Sequence, residues 1–267
     1  MVIRTSYHNH TTWSDGTATL DEMIAAARSQ GMAEFGISDH FVLAPDNKRR
    51  SWAMDHEFIG EYVRRVTHAK ENTPDLTIRL GLEVDYFPQT FDRVSEILSN
   101  YRFDYLILSV HFVGDVPIDY EAGIWERLSQ QEQDSIWRRY WELLRAAAKT
   151  RFFDFAGHFD LPKKFGFFPS VDLTDEALAA LDSIAASDMA IEINTAGWNK
   201  PVQQPYPSLF YLKEACKRGI PLLINADAHS ADNVARNLDR GRELAEAAGY
   251  REVVAYQNRK RLTIPLR

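Results

Sequence analysis

The chain has 267 residues, 45% of them hydrophobic and 26% charged, which is enough to bury a sizeable core in one large soluble domain. A net charge of −7 argues against a nucleic-acid surface as the main partner, because phosphate-backbone binding normally shows as a basic excess. The single cysteine excludes an internal disulfide and a multi-cysteine zinc site, no apolar run is long enough to span a bilayer, and Met-Val-Ile-Arg does not read as a secretory leader. A cytoplasmic protein with no membrane partner is the expectation.

Residues 3–9 read as a short strand that delivers His8-Asn9-His10 and then the loop Thr11 to Gly16. Side chains two apart on a strand share a face, so His8 and His10 can converge, and Asp15 on the loop offers a harder oxygen ligand. Thr19-Leu20-Asp21-Glu22 is a capping box, and apolar residues at helical spacing continue it to Gly31. Phe35-Gly36-Ile37-Ser38 is a buried-strand run ending at Asp39-His40, followed by a charged, Pro-containing loop at 44–50 whose role as a lid the sequence leaves open. Residues 55–72 read as a helix, Thr77 to Leu82 as a strand reaching Glu83, and Phe91 to Leu98 as a helix. Tyr105 to Val110 is a strand ending at His111, and Ser129 to Thr150 has helical periodicity.

Phe153 to Gly157 is strand-like and ends at His158; a helix from about Thr174 to Ala186 precedes the strand Met189 to Asn194. A helix near Ser208 to Lys217 is followed by Pro221 to Ala226, which leads into Asp227-Ala228-His229. A last helix covers about Asp232 to Ala248, and the tail from Glu252 to Leu266 adds a strand or lies along the domain. Seven strand-to-helix units without an obvious linker predict an α/β fold closed into a parallel barrel. An open doubly wound sheet competes, but it normally shows a glycine-rich first turn, and this chain has none.

Strand after strand ends in an imidazole or a carboxylate: His8 and His10, His40, Glu83, His111, His158, Glu192 with Asn194, then Asp227 and His229. In a parallel barrel the strand C-termini share one face, where catalytic groups sit. Six of the eight histidines fall at such positions, where an isolated polar group is costly unless paired or metal-bound. His56 and His68 lie in helical stretches and read as solvated. Asp39, Asp85 and Asp160 stand beside these residues and read as groups that orient an imidazole or a loop. Trp137, Tyr140 and Trp141 read as core. Lys163 and Lys164, and Lys48, Arg49 and Arg50, are candidates for gripping a phosphate; Tyr86, Asn194 and Trp198 are candidates for lining a substrate pocket.

The ordered segments His8-Asn9-His10 through Asp15-Gly16, Ser38-Asp39-His40, Gly81 to Tyr86, Ser109 to Phe112, Gly157 to Leu161, Glu192 to Gly197 and Asp227-Ala228-His229 resemble the polymerase and histidinol phosphatase (PHP) family. Glu192-Ile193-Asn194-Thr195-Ala196-Gly197 and Tyr206-Pro207-Ser208 resemble its histidinol-phosphate phosphatase branch. The resemblance implies one PHP-type metallophosphoesterase domain over 1–267, a distorted (β/α)7 TIM-like barrel with its metal site at the C-terminal ends of the strands. It implies three divalent ions, Mn, Fe or Zn: one held by His8, His10, Glu83 and Asp227, a second bridged by Glu83 to His111 and His158, a third held by Asp15, His40 and His229. Many relatives have His where this chain has Asp15, a change that favours Mn²⁺ or Fe²⁺ over Zn²⁺.

The implied reaction is hydrolysis of L-histidinol phosphate to L-histidinol and phosphate by a metal-bridging hydroxide, with Glu83 and Asp227 as catalytic residues and Asp227 or a bound water protonating the leaving oxygen. The alternatives are a phosphoesterase or nuclease of the same family acting on another ester or an oligonucleotide, and a non-catalytic barrel that uses metal for stability.

Overall fold

The computed structural model describes residues 4–266. In chain order its elements are β1 (Thr5–Ser6), α1 (Leu20–Ser29), β2 (Glu34–Ile37), β3 (His40–Phe41), α2 (Ile59–Glu71), β4 (Thr77–Leu80), β5 (Glu83–Asp85), α3 (Phe91–Ser99), β6 (Ile107–Ser109), β7 (Phe112–Val113), β8 (Val116–Pro117) and α4 (Ala122–Glu126). There follow α5 (Gln130–Lys149), β9 (Phe155–Ala156), α6 (Thr174–Ala186), β10 (Ala190–Asn194), α7 (Leu209–Lys217), β11 (Leu222–Asn225), α8 (Leu238–Ala248), β12 (Glu252–Gln257) and β13 (Lys260–Pro265).

Two parallel sheets, β1-β2-β4 and β11-β10-β9-β6-β5-β3, form one wall, because β2 runs into β3 across Ser38-Asp39 and β4 into β5 across Gly81-Leu82. The wall closes where Asn9 bridges Ala228 in parallel and His10 N–H donates to the Ala228 carbonyl at 2.8 Å. The described residues therefore make seven strand positions around a barrel distorted by those two breaks, as the alternating pattern predicted.

Helix starts follow local chemistry. Thr19 and Ser129 both form capping boxes, with Glu22 and Glu132, at the heads of α1 and α5. Helix α5 turns Ile136, Trp137, Tyr140, Trp141, Leu143 and Leu144 into the core, so its aromatics are packing residues. The expected last helix starts later than Asp232: residues 231–233 form a short 3-10 turn, and Asn237 takes a left-handed φ of 59° before α8 begins. The first strand is shorter than expected, and residue 3 of that reading lies outside the described residues. The tail folds as the antiparallel hairpin β12-β13. It stands at the N-terminal end of the barrel, where Tyr256 donates to the Asp154 carbonyl and Asn258 N–H to Asp104. The pattern missed β7-β8 and α4, which are too short to show a period.

Tyr7, Tyr105, Ile107, Phe155, Leu223, Val254 and Tyr256 fill that end of the barrel. With the N-terminal end packed, the open end is the one where the strands stop.

Candidate metal centre

The strand ends converge on Glu83. Its Oε2 lies 3.1 Å from His8 Nε2, 3.4 Å from His10 Nε2 and 2.8 Å from His40 Nδ1. Its Oε1 lies 2.9 Å from His158 Nε2 and 3.5 Å from His111 Nε2. Asp227 Oδ1 faces the same cluster, 3.3 Å from His10 Nε2 and 3.7 Å from His8 Nε2. At the rim Asp15 Oδ1 lies 3.5 Å from His40 Nε2 and 3.3 Å from His229 Nε2.

Four ligand-sized groups overlap here: His8/His10/Asp227, His8/Glu83/His158, His40/Glu83/His111 and His10/Asp15/His40/His229. All nine residues of the expected ligand set stand together. The grouping is more shared than the three-way partition expected, with His8, His10, His40 and Glu83 each belonging to two groups.

The local backbone explains how the side chains reach inward. His158 and Asp227 have φ of 23° and 49°, conformations non-glycine residues rarely adopt. Each costs about 1–3 kcal/mol, which the surrounding structure must offset. Buried partners then fix the rings. Asp85 accepts from His111 Nδ1 at 2.9 Å, and Glu192 lies 3.0 Å from His8 Nδ1. Glu192 also accepts from Asn194, Asn225 and the His158 backbone N–H. Asp39 holds the first loop, accepting from Thr11 N–H and the Ser14 hydroxyl, and Asp160 accepts from Lys163 and Ser208 N–H.

His8 Nε2, both ring nitrogens of His10, Glu83 Oε2 and Asp227 Oδ1 are buried without a hydrogen-bond partner. Buried polar atoms are rarely left that way, and these are nitrogen and carboxylate-oxygen donors of the kind that suit Zn²⁺, Mn²⁺ or Fe²⁺. The residues fit a multi-metal site.

Burial opposes charge on His8 and His111, but in the metal-free cluster the carboxylates prevail. Glu192, Glu83 and Asp227 raise His8 well above the usual imidazole value, and Asp85 with Glu83 and Asp119 raises His111 to about 10. Burial and the neighbouring His229 and His40 instead push His10 down to about 3. Since ligands bind metal deprotonated, His8 and His111 must give up protons on loading at neutral pH. Calorimetric titration of metal-free protein, repeated in buffers of different ionisation heat, should show net proton release and an apparent affinity that rises from pH 6 to pH 8. Affinity independent of pH would count against these residues as ligands.

The cluster forms the floor of a cavity of about 460 Å³, whose walls include Trp52, Pro117, Asp119, Tyr120, Leu161 and Tyr206. Three cations also face it: Lys164, Lys200 and Arg236. Lys164 is tied to Asp119, whereas Lys200 and Arg236 have no ion-pair partner among the described residues.

Several expected contacts lie elsewhere. Lys163 is buried against Asp160 at 2.7 Å. Arg49 pairs with Asp55 and Glu57, and Arg50 with Asp46, in a neighbouring surface groove. Acidic partners close in sequence satisfy those charges before any substrate can. Tyr86, the residue immediately after β5, packs against Phe91 and Phe153. Asn194 is fully buried and donates to Glu192 and Asp227, and Trp198 stacks under Arg240 at 4.2 Å. The sequence reading missed Lys200 and Arg236. Lys200 stands three residues beyond Gly197, the end of a segment already singled out, so its place in the chain was the one available signal.

A model of the PHP domain matches residues 6–196. A protein of Deinococcus radiodurans named "Probable histidinol-phosphatase" is 34% identical over 246 residues, covering 91% of this chain and 92% of its own. The histidinol-phosphatase of Bacillus subtilis is 26% identical over 81% of this chain and 89% of its own. Among solved structures, histidinol phosphate phosphatase of Lactococcus lactis, complexed with zinc, L-histidinol and phosphate, superposes with a TM-score of 0.82 at 19% identity over 98% of this chain and all of the other.

Proposed function

The chain belongs to the PHP domain family, and from that we propose that it is a metal-dependent phosphomonoesterase hydrolysing L-histidinol phosphate to L-histidinol and phosphate. The observation that carries the reading is the buried, unpartnered donor set of His8, His10, Glu83 and Asp227 on the floor of a cavity whose wall carries cations. The histidinol-phosphatase relatives support the substrate. We read residues 1–267 as one PHP-type metallophosphoesterase domain, and a core cluster with members from Ala18 to Leu266 supports a single packed unit. No helix among the described residues is long and apolar enough to cross a membrane, and a cytoplasmic location suits the lone Cys216.

The nine ligand-type residues suit three divalent ions of the Mn, Fe or Zn kind, with His8, His10, Glu83, Asp227, His111, His158, Asp15, His40 and His229 holding them. When bound, such ions supply an acidified water and neutralise charge on a phosphoryl group. The chain's own residues supply the rest. Glu192 and Asp85 hold the His8 and His111 rings so that each presents Nε2 to the cluster. Lys164, Lys200 and Arg236 offer positive charge to the phosphoryl oxygens, and Trp52 and Leu161 exclude water beside them. Burial raises the Asp227 carboxyl, but His8, His10 and His229 more than offset this and hold it well below the usual range. That direction suits Asp227 as an ionised metal ligand, with Asp227 or a bound water as the group that protonates the leaving oxygen.

Phosphate release by metal-loaded protein from a panel of phosphate esters, with short oligonucleotides included, tests the reading. L-histidinol phosphate should be turned over with the highest kcat/KM. Good turnover of another ester or of the oligonucleotides, with none of histidinol phosphate, would reject the substrate.

A further inference from the structure

The described residues lining the cavity include four carboxylates: Asp15, Glu83, Asp227 and Asp119. The first three stand among the metal-ligand residues, and Asp119 belongs to none of the ligand-sized groups. A fixed negative charge in a cavity that offers cations to a phosphate repels that phosphate. Its presence is explained when the ligand also carries a positive charge. The carboxylate is open to such a ligand, with 26% of the Asp119 side-chain surface exposed.

Local structure builds the placement. Strands β7 and β8 form a hairpin directly after His111, and Ile118 N–H closes it by donating to the His111 carbonyl at 2.9 Å. Ile118 is fully buried, and its carbonyl accepts from Trp125 Nε1 at 2.8 Å. Asp119 follows, and its own carbonyl accepts from Lys164 Nζ at 2.5 Å. These bonds fix the backbone on both sides of the carboxylate, so it is held in place before a ligand arrives. Lys164 also reaches Asp119 Oδ2, at 3.2 Å. A carboxylate offers about four lone-pair sites, and this contact uses one of them.

The charge of Asp119 acts on His111, His158, Lys164, Lys200 and Tyr206, all of which line the cavity. Burial raises its carboxyl, but His111, Lys164 and His158 outweigh this and hold it below the usual range.

We propose that Asp119 is a specificity-determining residue whose carboxylate binds a protonated amine on the alcohol part of the phosphate monoester. The assignment deepens the phosphomonoesterase reading given above and rests on it. Lys164 joins Asp119 to the cations that face the phosphoryl group, which suits an amine only a few bonds from phosphorus. In L-histidinol phosphate the amine stands on the second carbon from the ester oxygen. A primary amine is protonated at neutral pH, whereas an imidazole with an ordinary pKa of about 6.5 is mostly neutral there. Esters of neutral alcohols meet the same carboxylate without a counter-charge. Asp119 makes and breaks no bond, so it acts on binding.

Phosphate release from three esters by metal-loaded wild type and Asp119→Asn tests the assignment, since Asn keeps the shape and an acceptor for Lys164. The esters are L-histidinol phosphate, 2-aminoethyl phosphate and 2-hydroxyethyl phosphate, the last two alike in size and different in charge. Wild type should show a kcat/KM at least about tenfold higher on the aminoethyl than on the hydroxyethyl ester, the scale of one charge-assisted hydrogen bond. In Asp119→Asn both amine esters should lose about 10- to 100-fold in kcat/KM, chiefly through KM, while the hydroxyethyl ester stays within about threefold. Metal content should match wild type. No preference in wild type, equal losses on all three esters, no loss on any, or loss of metal would overturn the assignment. The wild-type preference is itself a test should the variant fail to fold. If wild type shows that preference but leaves histidinol phosphate intact, the histidinol reading falls and the role of Asp119 stands.

Discussion

Glu83→Gln protein should purify with little of its metal and release phosphate at least about 10³-fold more slowly than wild type, given that one electrostatic group alone is often worth ~10²–10³. Among the described residues, Glu83 is the one carboxylate within 3.5 Å of His8, His10, His40, His111 and His158 together. Gln keeps the volume and removes the charge. It leaves His8 and His111, both raised by Glu83, with less compensation in a buried site. Breaking a buried charge pair from one side typically costs ~3–5 kcal/mol, so the metal-free variant should also melt below metal-free wild type. Metal analysis, phosphate release and thermal melting check these three effects. A variant that keeps wild-type metal content and rate would remove Glu83 from the centre of the site.

The second large effect concerns stability alone. Gly81→Ala should destabilise the fold by about 3 kcal/mol or more, at the upper end of the usual overpacking cost. A Cβ at Gly81 would stand 2.1 Å from Tyr105 Cζ and 2.2 Å from Tyr105 Cε2. Tyr105 cannot easily retreat: its hydroxyl donates to the Tyr7 carbonyl at 2.5 Å, and its ring stacks on Phe155 and meets Tyr7 edge-on. For a chain of this size the loss corresponds to a Tm lower by roughly 6–12 °C. In a Tyr105→Ala background the same substitution should cost much less, because the clashing ring is gone. Equal costs in both backgrounds would show that Gly81 is required for another reason.

Much of the site was legible because polar residues at the ends of buried strands are a strong physical anomaly. His8, His40, Glu83, His111 and His158 each stand at the end of an expected strand, and closing the barrel brings them to one mouth. The carboxylates beside them were legible for the same reason, as Asp85 on His111 illustrates. Pocket-lining residues were not, because a loop residue's reach depends on how the loop folds back. Lys200 and Tyr206 lie on the loop that the bridge between Tyr206 and Asn194 folds back, and Arg236 lies just before the left-handed Asn237 that precedes α8. Asn194 shows the converse. Two residues beyond Glu192 on one strand, it shares that residue's face and is consumed by Glu192 and Asp227. Arg49 and Arg50 were singled out as phosphate ligands, but charges that close to Asp46, Asp55 and Glu57 neutralise one another at the surface.

Anomalous diffraction from crystals grown with Mn²⁺ locates the cations directly. Peaks should fall around Glu83, within coordination distance of His8, His10, His111, His158 and Asp227, with a further peak beside Asp15, His40 and His229. Well-diffracting crystals with Mn²⁺ in excess and no peak among these side chains would contradict a metal-dependent site.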